Sequence, residues 1–292
     1  MSAPALELPE LFTAADRTSG IGQRKVIRST AIQLGLLTVA AAGGAVTVPL
    51  ANGGDWAALV GGVAFVAAAL VRINTLTNRP DRAWYDGRAA AESIKTLAWR
   101  YAVGGDPFPL EEQRGAAEKA FVARLNEILR ELGGIHLASD ATAGAQITPS
   151  MKELRQRSLD DRKAFYRDAR IEDQRRWYAG KAAWNERRAQ QWNVITLGME
   201  TLGVAGAFLR ASGVIALDLL GLAGAAVAAV TAWIQTKQHT TQSSAYSVAA
   251  QELLSIKALL EVQESETEWR RFVAESEEAI SREHTLWRAS RS

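Results

Sequence analysis

Apolar residues are gathered into two blocks, and the rest of the chain is dense in charge. The first block runs over residues 31–50 and, after a short polar turn, over 56–71; the second runs over 192–209 and, after another short turn, over 213–234. Each run is close to the length at which a helix crosses about 30 Å of hydrocarbon. The pattern predicts four transmembrane helices in two hairpins. Residues 56–71 are short for a span, and Ile73 and Leu76 extend them, with Arg72 and Asn74 snorkelling or turned inward. Trp56, Trp192 and Trp233 fall at span ends, where an amphipathic ring prefers the interface. Small residues recur four apart, as Ala40/Gly44, Ala64/Ala68, Gly203/Ala207 and Gly221/Ala225/Ala229, so helix backbones can approach closely.

The polar segments carry helical signals of their own. Residues 82–101 and 109–132 read as amphipathic helices separated by Gly104-Gly105-Asp106-Pro107-Phe108-Pro109, and Gly133-Gly134 ends the second. Residues 150–197 read as one helix, capped by Ser150 with Glu153 closing a capping box and interrupted only by Gly180. From Ala225 onward there is neither Gly nor Pro, so the fourth span is expected to run on into a rod, bending at residues 239–244. The apolar marks Leu253, Ile256 and Leu260, then Trp269, Val273, Ile280 and Trp287, keep helical spacing within each set but are offset between sets, which reads as a stuttered seam. The fold class expected is all-α: an integral membrane protein with four transmembrane helices and a cytoplasmic helical bundle of long helices. Residues 139–146 are the best internal boundary. The expected division is an arm at 1–30, a first two-transmembrane unit at 31–138, a linker at 139–149 and a second unit at 150–292.

Charge sets the expected orientation. Of the 34 Lys and Arg, Arg210 alone falls in a hairpin turn, and Arg24, Lys25, Arg28, Arg72, Arg187, Arg188 and Lys237 flank the spans on the other side. By the positive-inside rule both termini and the central region are cytoplasmic. No signal peptide is expected, since residues 1–20 are acidic and contain proline. Mean hydropathy of -0.08 and net charge of +2 are averages over unlike parts. Basic and acidic residues are interspersed rather than blocked, which argues against a nucleic-acid surface. With no Cys, thiolate metal sites, disulfides and cysteine nucleophiles are excluded. His136, His239 and His284 are far apart and lack metal or acid–base spacing, so no enzyme, metal or cofactor is expected.

Glu200 is the outlier in the apolar pattern. An ionisable group inside a span costs a few kcal/mol and marks a bundle interior, an ion path or a switch. It shares a helical face with Asn193, Thr196, Gly203 and Ala207. Two readings stand: Glu200 lines a pore or gate, as a ring of acids in an assembly would, or it bonds between helices. Asp218, nearer the outer turn, pairs with Arg210 or joins a pore mouth.

Two motifs complete the picture. Arg88, Glu92, Lys95 and Trp99 share one face of the first amphipathic helix and precede Arg100-Tyr101, Gly104-Gly105 and Pro107-Phe108. Gln174, Trp177, Tyr178, Lys181 and Asn185 recur at spacings of 3–4 ahead of Trp192. Each motif reads as a helix–helix staple or as a site for an anionic nucleotide, with aromatics to stack a base. Gly104-Gly105 is a helix stop, since no phosphate-loop spacing follows.

The first motif, placed after a two-helix hairpin, resembles the signature of the SMODS- and SLOG-associating two-transmembrane effector (SLATT) domains. The second resembles a companion subtype, in the tandem order known for that family. The resemblance implies a membrane effector of bacterial conflict systems in the inner membrane, a homo-oligomer in the lipid bilayer that forms a pore. Its trigger is implied to be a cyclic oligonucleotide, another nucleotide-derived signal or a sensor protein, because this chain carries no recognisable sensor domain. A non-conducting scaffold that captures a sensor through the C-terminal helix, and a small-solute transporter, are the alternatives.

Overall fold

A computed structural model describes residues 6–49, 53–110, 115–131 and 144–289. The helix stop at Gly133-Gly134, most of the 139–146 linker and the far end of the first apolar run lie outside the described residues, as does the side chain of Trp287. Among the described residues there is no strand. The helices are α1 (Glu10–Ala45), α2 (Trp56–Asn78), α3 (Pro80–Val103), α4 (Ala116–Glu131), α5 (Pro149–Arg155), α6 (Leu159–Tyr166), α7 (Asp173–Ala211), α8 (Leu219–Lys237), α9 (His239–Leu260) and α10 (Glu266–Ala289). A π-helical segment, Arg167–Glu172, joins α6 to α7.

The chain divides into two units, and the division cuts across sequence order. Unit 1 comprises Met1–Gln23, Asp81–Lys181 and Ala245–Ser292; unit 2 comprises Arg24–Pro80 and Ala182–Ser244. Four helical stretches are long and apolar enough to cross a membrane: Glu10–Ala45, Trp56–Asn78, Leu159–Ala211 and Leu219–Leu260. The apolar portions of all four fall in unit 2.

Unit 2 is inside-out by the standard of a water-soluble domain. Val194 is 71% exposed, Leu202 71% and Phe208 72%, and no residue of α8 is buried. Exposed apolar area on this scale belongs against lipid or another chain. What the apolar helices of unit 2 bury is small. A Cβ on Gly43 of α1 would lie 2.4 Å from the Ala57 carbonyl oxygen of α2, and one on Gly61 would lie 3.0 Å from that of Ala40. Likewise a Cβ on Gly206 of α7 would lie 2.4 Å from the Leu219 Cβ of α8, and one on Gly203 2.9 Å from that of Ala223. Close approach through glycine, backbone on backbone in α1/α2 and backbone on side chain in α7/α8, is how helices pack where lipid supplies no hydrophobic drive. Asp55 and Asp218 start α2 and α8 as N-caps, accepting the amide hydrogens of Ala57 at 2.9 Å and Gly221 at 3.0 Å.

Unit 1 has a conventional core. Ile94, Tyr101, Phe108, Phe121, Tyr166 and Trp269 are fully buried and form one cluster with Met151, Leu253 and Val273. The amphipathic face of α10 sits in that cluster. Gly105 is required there, since a Cβ on it would lie 2.4 Å from the Val273 Cγ1.

Several boundaries differ from those the sequence predicts. The first apolar run does not begin a helix at 31; α1 starts at Glu10, and Leu11, Ala14 and Ala15 are buried in unit 1. The helix expected over 150–197 is broken at residues 156–158, because the Ser158 hydroxyl accepts the Asp161 amide hydrogen at 3.2 Å and caps a new helix. Its first cap is Thr148 rather than Ser150, with Pro149 at the first helical position. Gly180, by contrast, lies inside α7. The rod expected from Ala225 onward is broken twice, at Gln238 in left-handed conformation (φ 51°) and over residues 261–265. That second break explains the offset between the two apolar sets: they lie on two helices, not on a stuttered one.

Candidate functional site

The carbonyl end of α3 is the anchor point of unit 1. A helix C-terminus leaves unsatisfied carbonyls and a partial negative charge, which buried cations and donors can satisfy. Here Arg162 Nη1 donates to the Val103 carbonyl at 2.7 Å and Trp269 Nε1 donates to the same oxygen at 2.8 Å. Arg155 donates to the carbonyls of Tyr101, Phe108 and Pro109 at 2.8, 2.9 and 2.6 Å. Arg270 pairs with Asp106 at 2.7 Å, and Arg162 also pairs with Glu266. The Gly104-Gly105 turn is thus a docking point for α5, α6 and α10, with Gly104 at φ 74° ending α3.

Beside it lies a buried polar network. Glu277 of α10, with no exposed surface, accepts Arg170 Nε at 2.8 Å, Arg170 Nη2 at 2.6 Å and the Tyr166 hydroxyl at 2.9 Å. Lys95 of α3 donates to Gln174 Oε1 at 3.2 Å, and Arg170 Nη1 reaches the same oxygen at 3.5 Å. On α3, Arg88 pairs with Glu92 at 3.0 Å, and Trp99 packs against Tyr166 and Phe165. Burial works against the charge of Arg170, but Glu277 more than compensates and raises its pKa. Burial, and then Glu277, pushes the Tyr166 hydroxyl well up. Lys95 is lowered by burial and by the neighbouring Arg170.

The predicted motif residues are therefore only partly united. Arg88, Glu92, Lys95, Trp99 and Gln174 meet in unit 1. Trp177, Tyr178 and Lys181 sit farther along α7, where Lys181 lies 5.7 Å over the Trp177 ring and both aromatics contact Tyr246 at 5.5–5.6 Å. Asn185 is in unit 2, 2.7 Å from the buried His239 ring at Nδ1. The cavity nearest these aromatics, lined by Tyr178, Leu253 and Ile280 among others, holds about 10 Å³, room for one water rather than a nucleotide.

Charged residues unmarked by the sequence reading make the network: Arg155, Arg162, Arg170 and Glu277. The signal available was a stripe of Arg162, Tyr166, Arg170 and Gln174 at intervals of four. On a 3.6-residue helix such a stripe drifts by about 40° per step, and the wider turn of residues 167–172 takes part of that back.

Within the apolar unit the expected polar stripe of α7 divides. Gly203 and Gly206 are buried against α8, and half-buried Thr196 bonds back to the Trp192 carbonyl at 2.9 Å. Asn193 and Glu200 are exposed. At 100° per residue, Glu200 points about 90° away from the centre of the face formed by Gly203 and Gly206. The reason is steric: Leu219 and Ala223 claim the side of α7 that has no side chains. Among the described residues the Glu200 carboxylate has no hydrogen bond and no ion pair. Asp218, in contrast, pairs with Arg210 at 2.9 Å while capping α8.

Two family models match successive stretches of the chain. That of the SMODS and SLOG-associating 2TM effector domain 3 covers residues 9–163, and that of the SMODS and SLOG-associating 2TM effector domain 1 covers residues 166–287. No curated protein and no solved structure matches it.

Proposed function

The chain belongs to the SLATT family of two-transmembrane effectors and carries two such domains in tandem, and from that premise we propose that it is a defence effector whose copies assemble in the bacterial inner membrane into a pore. The spans form two hairpins, α1/α2 and α7/α8, with both termini and unit 1 in the cytoplasm.

The observation that carries this reading is Glu200. It lies eight residues, about 12 Å, into the span from Trp192, and it is exposed without a partner among the described residues. A carboxylate at that depth facing lipid is costly, so its natural surroundings are water or a second copy. A ring of such acids favours cations. Unit 1 receives the trigger, a nucleotide-derived signal or a sensor partner, at its surface, since the crevice beside Tyr178 is too small for a nucleotide. A scaffold that captures partners through α10 fits less well, because α10 places Trp269, Val273 and Ile280 in the core of unit 1.

Induced expression in cells loaded with a membrane-potential dye tests the proposal. Depolarisation is expected with the native chain and its loss with Glu200→Ala; a fully expressed, membrane-inserted chain that leaves potential and growth unchanged under every trigger contradicts it.

A further inference from the structure

The cations of unit 2 are arranged unlike those of unit 1. In unit 1 several arginines pair with carboxylates: Arg88 with Glu92, Arg170 with Glu277, Arg175 with Glu172 and Arg270 with Asp106. In unit 2, Arg187, Arg188 and Lys237 have no carboxylate partner among the described residues, and neither have Arg24, Lys25, Arg28 and Arg72. The sequence leaves them none nearby: residues 24–54, 56–80 and 219–251 contain no Asp or Glu, and residues 182–192 contain only Glu186.

Helix arithmetic puts these cations at one end of each helix pair. α7 and α8 touch at Gly203/Ala223; Arg188 lies about 22 Å from that contact along α7 and Lys237 about 21 Å along α8 in the matching direction. For α1 and α2, which touch at Gly43/Gly61, Arg28 and Arg72 lie about 22 Å and 17 Å away, again at a common end. The opposite end of α7/α8 holds only Arg210 and Asp218, which neutralise each other.

At the α7/α8 end the side chains are assembled rather than scattered. Lys237 Nζ lies 5.0 Å from the Trp233 ring centroid and the Arg188 guanidinium 5.5 Å from that of Trp184. Trp184 in turn lies 5.4 Å from the His239 ring, whose pKa is lowered by burial and then by Lys237 and Arg188. Cations resting on aromatic faces at a span end present their heads at headgroup level.

We infer that this basic, aromatic end of the α7/α8 pair is a binding surface for the phosphates of anionic phospholipid headgroups, with Arg187, Arg188 and Lys237 as its charged contacts. The inference rests on the membrane-spanning reading of unit 2. It adds a lipid preference at one leaflet that span length and hydropathy alone do not require. Clusters of cations beside a span take up anionic lipid with roughly a fivefold gain per cation.

The test uses the full chain, extracted in a mild non-ionic detergent from vesicles of equal parts phosphatidylglycerol and phosphatidylcholine, with co-purifying lipid counted per protein. Phosphatidylglycerol is expected in several-fold excess over phosphatidylcholine, the excess falling severalfold in R187Q/R188Q/K237Q and surviving in R187K/R188K/K237R. Equal recovery of the two lipids with the native chain overturns the inference, as does an excess that the Gln variant retains. So does tight binding of a soluble nucleotide at these residues that displaces the lipid. Alkaline carbonate extraction separates the two claims, since release of the native chain from the vesicles contradicts the spanning reading itself.

Discussion

Replacing Glu277 with Ala strands a guanidinium in the core of unit 1. The native carboxylate is fully buried and accepts two donors from Arg170 and one from Tyr166. Breaking a buried pair by removing one partner costs about 3–5 kcal/mol, because the remaining charge keeps its desolvation penalty without compensation. At about 2–4 °C per kcal/mol for a domain of this size, melting should fall by roughly 10 °C. Trp269, whose ring centre lies 5.6 Å from that of Tyr166, reports the event by intrinsic fluorescence in detergent. The paired change Arg170→Met with Glu277→Leu should cost less than either single change, since an apolar replacement carries no buried charge. A coupling energy above about 2 kcal/mol is expected from the double-mutant cycle. Single substitutions costing under about 1 kcal/mol, or strictly additive ones, would refute the argument that this pair holds α10 in place.

The Glu172 carboxyl, bonded by Arg175 and then Lys257, is held at about 2 against an ordinary 4.5. Its contribution, about 1 kcal/mol after solvent screening, is present above pH 4.5 and lost as pH falls toward 2; Glu172→Gln should flatten acid melting curves over that window. Burial, and then Glu118, pushes the Tyr101 hydroxyl up to about 12. The folded state therefore keeps that proton between pH 10 and 12 while the unfolded state sheds it, so stability declines through that range and declines less steeply in Tyr101→Phe. Gly105→Ala sets a Cβ against Val273 and should cost about 1–3 kcal/mol in thermal denaturation, with an exposed Gly180→Ala change as the harmless control.

The parts of the fold most legible in the sequence were those dictated by solvent. Apolar runs of span length located α2, α8 and the far halves of α1 and α7, because exposed side chains such as Val194, Leu202 and Phe208 belong against lipid or another chain. Helix breaks without Gly or Pro were legible only in part: the bend expected at 239–244 comes one residue earlier, while the breaks at 156–158 and 261–265 were not expected. Ser158 caps a helix inside a charged stretch, and Gln238 takes a left-handed conformation that any sequence rule would assign to Gly or Asn. The buried network was hidden for a different reason. Arg162, Arg170 and Glu277 look like solvated surface residues until the three-dimensional fold sets α10 against α6, and Glu277 is about a hundred residues from its partners. Conversely, the family motif at Arg88, Glu92, Lys95 and Trp99 was visible as a single helix face, while its bonding to Gln174 was not. Glu200 stood out in both descriptions, but only the structure showed that the glycine face of α7 turns to α8 and leaves the carboxylate on the flank.

Because the chain has no cysteine, Glu200→Cys introduces a single thiol at the point on which the proposed function turns. In intact membranes the account predicts that mild oxidation links two copies through this residue, and that a water-soluble, charged thiol reagent modifies it once the effector is triggered. A thiol that stays monomeric under oxidation and inert to the reagent, in a chain shown to be inserted in the membrane, would place position 200 against lipid or within one chain and contradict the pore.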